Sequence, residues 1–122
     1  MKARTKARKR ALDILFEADL KGVSVSQIWD QADQSDEFVK FLVTGVAASK
    51  NEIDQIISSV STSWPIERMP VVDRNLLRLA IFEIKNSPQT PKSVVISEAV
   101  ELANTLSTEE SANFINGVLA TI

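Results

Sequence analysis

Apolar residues recur every three or four positions along nearly the whole chain, and nowhere does an apolar and polar alternation of period two persist. A chain written at that period buries its hydrophobic stripes by laying helix on helix, so the expected fold class is all-α. In the first segment Ala7, Ala11, Ile14, Leu15 and Ala18 make one stripe, which Gly22 closes. A short helix is expected after Ser24, with Val25, Ile28, Trp29 and Ala32 inward. A third starts at Ser35 or Asp36, with Phe38, Phe41 and Leu42 inward. Ser49 to Glu52 has the S-x-x-E form of a capping box and predicts a further helix start, with Ile53, Ile56, Ile57 and Val60 as its stripe.

Pro65 and Pro70 bracket a break, because proline lacks a backbone donor and restricts the residue before it; this is the best boundary between two halves. The segment after Pro70 is the most apolar in the chain, and a helix apolar nearly all round belongs at the centre. Beyond Pro88 and Pro91, Val95, Ile96, Ala99, Val100 and Ala103 mark another helix. A second S-x-x-E box, Ser107 to Glu110, opens a last one carrying Ala112, Ile115, Val118 and Leu119.

Several function classes drop out on composition. The chain has no cysteine and no histidine, which removes disulfides, thiolate nucleophiles, imidazole bases and the usual zinc ligands. Three glycines are too few for a phosphate cradle, and no base, oxyanion element or nucleophile pattern accompanies the serines. No enzyme activity, metal or cofactor is expected. At 122 residues one domain suffices. The apolar runs are far shorter than the roughly 20 residues that span a bilayer, and the charged start does not read as a signal segment. The expectation is a cytoplasmic protein with no membrane contact.

Charge carries the functional signal. Lys2, Arg4, Lys6, Arg8, Lys9 and Arg10 are six of the 14 basic residues, whereas all 16 acidic residues lie at or beyond Asp13. A basic arm on an acidic body points to a polyanionic partner. The helical wheel turns Lys6, Lys9 and Arg10 to solvent and puts Arg4 and Arg8 at the edge of the apolar stripe, where the helix start is expected to project past the core. Cations at a helix N-terminus oppose the macrodipole, so local stability does not explain them. A solubilising tail remains the alternative.

Other positions stand out less. Phe16 flanks the first stripe, which suits either a partner surface or helix packing. Asp73, Arg74 and Arg78 take the polar positions of the central helix, as surface ion pairs or as a partner-orienting rim. Glu109 and Glu110 complement a helix dipole. Asn113 and Asn116 flank Phe114, and Gly117 suggests close helix packing.

These residues together resemble the NusB family of transcription antitermination proteins. The matching runs are the basic start into Ala11-Leu12-Asp13-Ile14-Leu15-Phe16, Trp64 to Arg68, Val72 to Ala80, Ile96 to Ala103, and Phe114-Ile115-Asn116-Gly117-Val118-Leu119. The resemblance implies about seven helices in two packed subdomains, about residues 1–63 and 64–122. It also implies a complex with NusE, a small-subunit ribosomal protein, on single-stranded boxA RNA of ribosomal RNA transcripts. That complex would act within an RNA polymerase antitermination assembly, and the resemblance leaves a homodimer open.

Carried over by position, Arg4, Lys6, Arg8, Lys9 and Arg10 match the family's RNA-binding motif, and Glu110 and Phe114 fall where its RNA surface continues. Phe16 and Asp73 match positions facing NusE. Thr5 and two lysines dilute the arginines, and lysine lacks arginine's bidentate fork. Two alternatives stay open: the RNA-positioning domain of ribosomal RNA cytosine methyltransferases, and a helical protein-binding adaptor. With neither a cysteine nor a cofactor segment after Ile122, the chain is not expected to transfer a methyl group by itself. Against the adaptor, RNA affinity should fall with salt, and removing charge at Arg8 and Arg10 should flatten that dependence.

Overall fold

Ten of the sixteen residues of α4 (Val71–Asn86) are buried, and the other long helices are arranged around it. In the computed structural model, which describes residues 2–122, the further elements are α1 (Ala3–Lys21), α2 (Val25–Trp29), α3 (Glu37–Val60), a 3-10 turn (Ile66–Arg68), α5 (Lys92–Leu106) and α6 (Glu109–Ala120). Among the described residues there is no strand. α4 packs on α1, α3, α5 and α6, while α5 and α6 lie along each other and α2 bridges α1 and α3. One continuous apolar core draws residues from both sides of the 61–70 link, including Leu12, Leu42, Ile57, Leu77, Ile81, Ile115 and Leu119.

The helix ends follow local chemistry. Gly22 takes a left-handed conformation (φ 68°), which a side chain would disfavour, and its N–H returns to the last turn of α1. Ser24, Asp36 and Thr108 cap α2, α3 and α6 by accepting from backbone N–H groups. The last cap sits one residue beyond the expected Ser107.

The helix start expected at Ser49 is not present. α3 runs unbroken from Glu37 to Val60, because Val39, Leu42, Val43, Val46, Ile53 and Ile57 form one buried stripe through the capping-box sequence. No proline or left-handed residue interrupts it, so the box is absorbed and the described residues form six α-helices. The glycine roles also differ from expectation. A Cβ on Gly117 would meet nothing within 4 Å, so this residue is not a close-packing site. Gly45 is one: a Cβ there would fall 2.0 Å from Cζ of Phe82.

Candidate nucleic-acid interface

The first two turns of α1 are clamped by four other parts of the chain. The Thr5 hydroxyl donates to Glu98 Oε1 at 2.6 Å. Arg8 donates through Nε and Nη2 to both oxygens of Glu83, at 2.8 and 2.7 Å, and through Nη1 to Glu98 at 2.8 Å. Arg4 reaches Thr90 Oγ1 at 3.3 Å and lies over the Phe38 ring, 4.3 Å from its centroid. The helix that carries the basic arm is thereby fixed to α3, to the end of α4, to the Pro88–Pro91 loop and to α5.

The clamp changes what Arg8 can do. Its side chain is 6% exposed and that of Glu83 1%, so the expected RNA-contacting Arg8 faces the interior and not solvent. The reason is the wheel position noted above: the edge of the stripe lies against α4 and α5, and does not project beyond them. The hydrogen bond to Glu83 leads in raising the Arg8 pKa, against the opposing effect of burial. Two carboxylates thus cancel this cation. Arg4, Lys6 and Arg10 are exposed and Lys9 is half-buried, holding Asp13 at 2.8 Å. Among the described residues Lys6 and Arg10 have no ion pair, and with Lys2 they form a row spaced one turn apart.

Other expected positions divide in the same way. Glu110 is exposed and Phe114 half-buried, its ring meeting Trp64 edge-on at 4.7 Å; none of the arm's hydrogen bonds runs to this helix. Phe16 is half-buried on α1. Asp73 is fully buried, and its carboxylate has no hydrogen-bond partner among the described residues. It therefore offers no partner surface. It lies on the same face of α4 as Leu77 and Ala80, four and seven residues on, and that face is core.

Arg74 and Arg78 are not surface pairs either. Arg74 makes a two-pronged contact with Asp19 at 2.7 Å. Arg78, buried, bridges Asp54, Asp19 and Asn75 at 2.8 to 3.2 Å. This network ties α1 and α3 to α4. Burial alone would push the Asp19 carboxyl up, but hydrogen bonds from Arg74 and Asn75 and the charges of both arginines outweigh it and hold the group at about 2. A depressed carboxyl stabilises the folded state above its unfolded value of 3.8, and that contribution is lost as pH falls through about 2. Denaturant melts across this acid range should show Asp19→Asn less stable than the unaltered chain at neutral pH and less sensitive to acid.

The sequence did contain a signal for the clamp. Glu83 interrupts the most apolar segment, and a carboxylate placed in a core must find a cation. The periodicity predicts Phe38 and Phe41 inward; Phe38 is half-buried and Phe41 is 36% exposed.

Among the described residues no cluster of acids is arranged to hold a metal ion, and no helix is long and apolar enough to cross a membrane. A small helical scaffold that holds one cationic helix end rigid at its surface has the geometry of a helical nucleic-acid-binding factor. The sequence profile of the NusB family matches residues 5–122. The transcription antitermination protein NusB of Acidothermus cellulolyticus is 53% identical over all of this chain and 88% of its own length. That of Kineococcus radiotolerans is 45% identical over all of this chain and 93% of its own. The solved structure of T. maritima NusB superposes with a TM-score of 0.88 at 30% identity, covering 98% of this chain and 89% of that one. A crystal structure of antitermination factors NusB and NusE in complex with dsRNA superposes at 0.85 with 28% identity, covering 97% and 93%. The chain belongs to the NusB family of transcription antitermination proteins.

Proposed function

We propose that this chain binds the single-stranded boxA element of ribosomal RNA transcripts together with the ribosomal protein NusE, in the cytoplasm, and supports read-through by RNA polymerase. The observation that carries this reading is the row of exposed cations, Lys2, Lys6 and Arg10 with Arg4 beside them, on a helix end immobilised by the Arg8 clamp. Phosphate contacts from the row supply affinity and position, and contacts to splayed bases supply sequence preference. Family membership and the structural neighbour that holds NusE and dsRNA support the choice of partners. Lys9, Glu110 and Phe114 belong to the proposed RNA surface, and Phe16 to the NusE side. A second copy could cover the same side in the absence of NusE.

Salt titration tests the reading. With NusE present, log affinity for a boxA oligonucleotide should fall with log salt at about −0.7 per neutralised phosphate. A Lys6→Ala, Arg10→Ala double variant should weaken binding and reduce the slope by about 1.4, two phosphates' worth. Affinity that ignores both salt and these substitutions would favour the protein-binding adaptor.

A further inference from the structure

Three of the chain's five phenylalanines form a run that begins at the arm. Arg4 lies over Phe38, as described. The Phe38 and Phe41 rings stack with centroids 6.1 Å apart and planes 24° from parallel, and Phe41 meets Phe82 at 5.1 Å. Phe82 is buried beside Gly45. The run therefore leads from a surface cation to the core, and Phe41 is its most exposed ring.

Part of the Phe41 ring, which is 36% exposed, is left to solvent. An aliphatic side chain would cover Phe82 equally well without presenting a flat apolar surface to water. The ring is also held in place by its two aromatic neighbours, so a ligand that stacks on it has little side-chain entropy left to remove. Arg4 is similarly restrained, between Phe38 and Thr90.

We propose that Phe41 is a base-stacking site, with one unpaired RNA base lying on its open face and Arg4 meeting the adjoining phosphate. This rests on the RNA-binding reading above and adds to it a contact from α3, an element to which no RNA role was given. A protein partner or a second copy would call for a broad apolar patch, but the exposed neighbours of Phe41 on α3 are Glu37, Lys40 and Thr44. An exposed ring among polar neighbours on α3, one phenylalanine removed from a pinned guanidinium, suits an unpaired nucleotide.

The experiment uses the full chain with NusE and a single-stranded boxA oligonucleotide, scanned with single abasic sites. Phe41→Leu keeps the packing on Phe82 and should lower RNA affinity by roughly 5- to 150-fold, the range of one lost stacking contact, with the salt slope unchanged. Phe41→Trp should restore binding, and Arg4→Ala should lower the slope by about 0.7. One abasic position should weaken the unaltered chain and have no further effect in Phe41→Leu, because the two changes remove the same contact. Wild-type affinity in Phe41→Leu, additivity at every abasic position, or a loss confined to NusE binding or self-association would overturn the stacking site alone. If the unaltered chain binds no RNA at all, the functional reading fails and this inference with it.

Discussion

Arg8→Ala is expected to lower the unfolding free energy by about 3 to 5 kcal/mol, measured by chemical denaturation at neutral pH. The substitution leaves Glu83, 1% exposed, as a carboxylate in the core without its bidentate partner, and an uncompensated buried charge costs more than the ion pair ever contributed. Arg8→Lys keeps the charge but loses the planar fork that meets both Glu83 oxygens, so an intermediate loss is expected. Replacing the pair together, as Arg8→Met with Glu83→Leu, should recover most of the stability, since well-packed apolar groups of similar volume substitute for buried pairs at little cost. RNA binding gives a second readout. An arginine that touches phosphate lowers the salt slope when removed; one that positions the arm lowers affinity and leaves the slope intact. The clamp geometry predicts the second outcome, at a temperature where the variant is folded. A reduced slope in Arg8→Lys or Arg8→Ala would show that the side chain leaves Glu83 and joins the RNA.

Gly45→Ala should cost about 3 kcal/mol, at the upper end of the usual range for overpacking. The added Cβ would lie 2.0, 2.4 and 2.6 Å from three atoms of the Phe82 ring, far inside the contact distance of non-bonded carbons. The ring has little room to retreat, because Phe82 is buried and also packs on Phe41. Either Phe82 leaves its rotamer or α3 and α4 move apart at the contact that joins them. Shrinking the ring tests the cause: Phe82→Leu creates a cavity and is destabilising in the normal chain, yet in the Gly45→Ala chain it should cost less, because the same space is then partly filled. Additive losses in the double variant would mean that the clash is relieved elsewhere. Gly117→Ala serves as the control, since open space around that position and alanine's better helix propensity predict no loss.

The two glycines show where sequence reasoning stops. Both sit within helices, and both read alike in one dimension; only the packing of α3 on α4 makes Gly45 the close contact and leaves Gly117 open. The arginines divide similarly. Lys6 and Arg10 were legible as exposed cations because the wheel alone turns them from the stripe. Arg8 was not, because its partners Glu83 and Glu98 lie 75 and 90 residues away. A position at the edge of a stripe is buried or exposed according to what packs there.

The sequence by itself determined the helical class, the end of α1 at Gly22, the central place of α4 and the cationic start, since each rests on interactions within a turn or two of chain. Only the tertiary structure decided that the capping box at Ser49 starts nothing, that Asp73 and Arg78 are interior, and which cations of the arm remain available to a ligand. Those outcomes depend on stripes and charges of separate helices meeting in space, and local periodicity carries no information about which helix arrives opposite which.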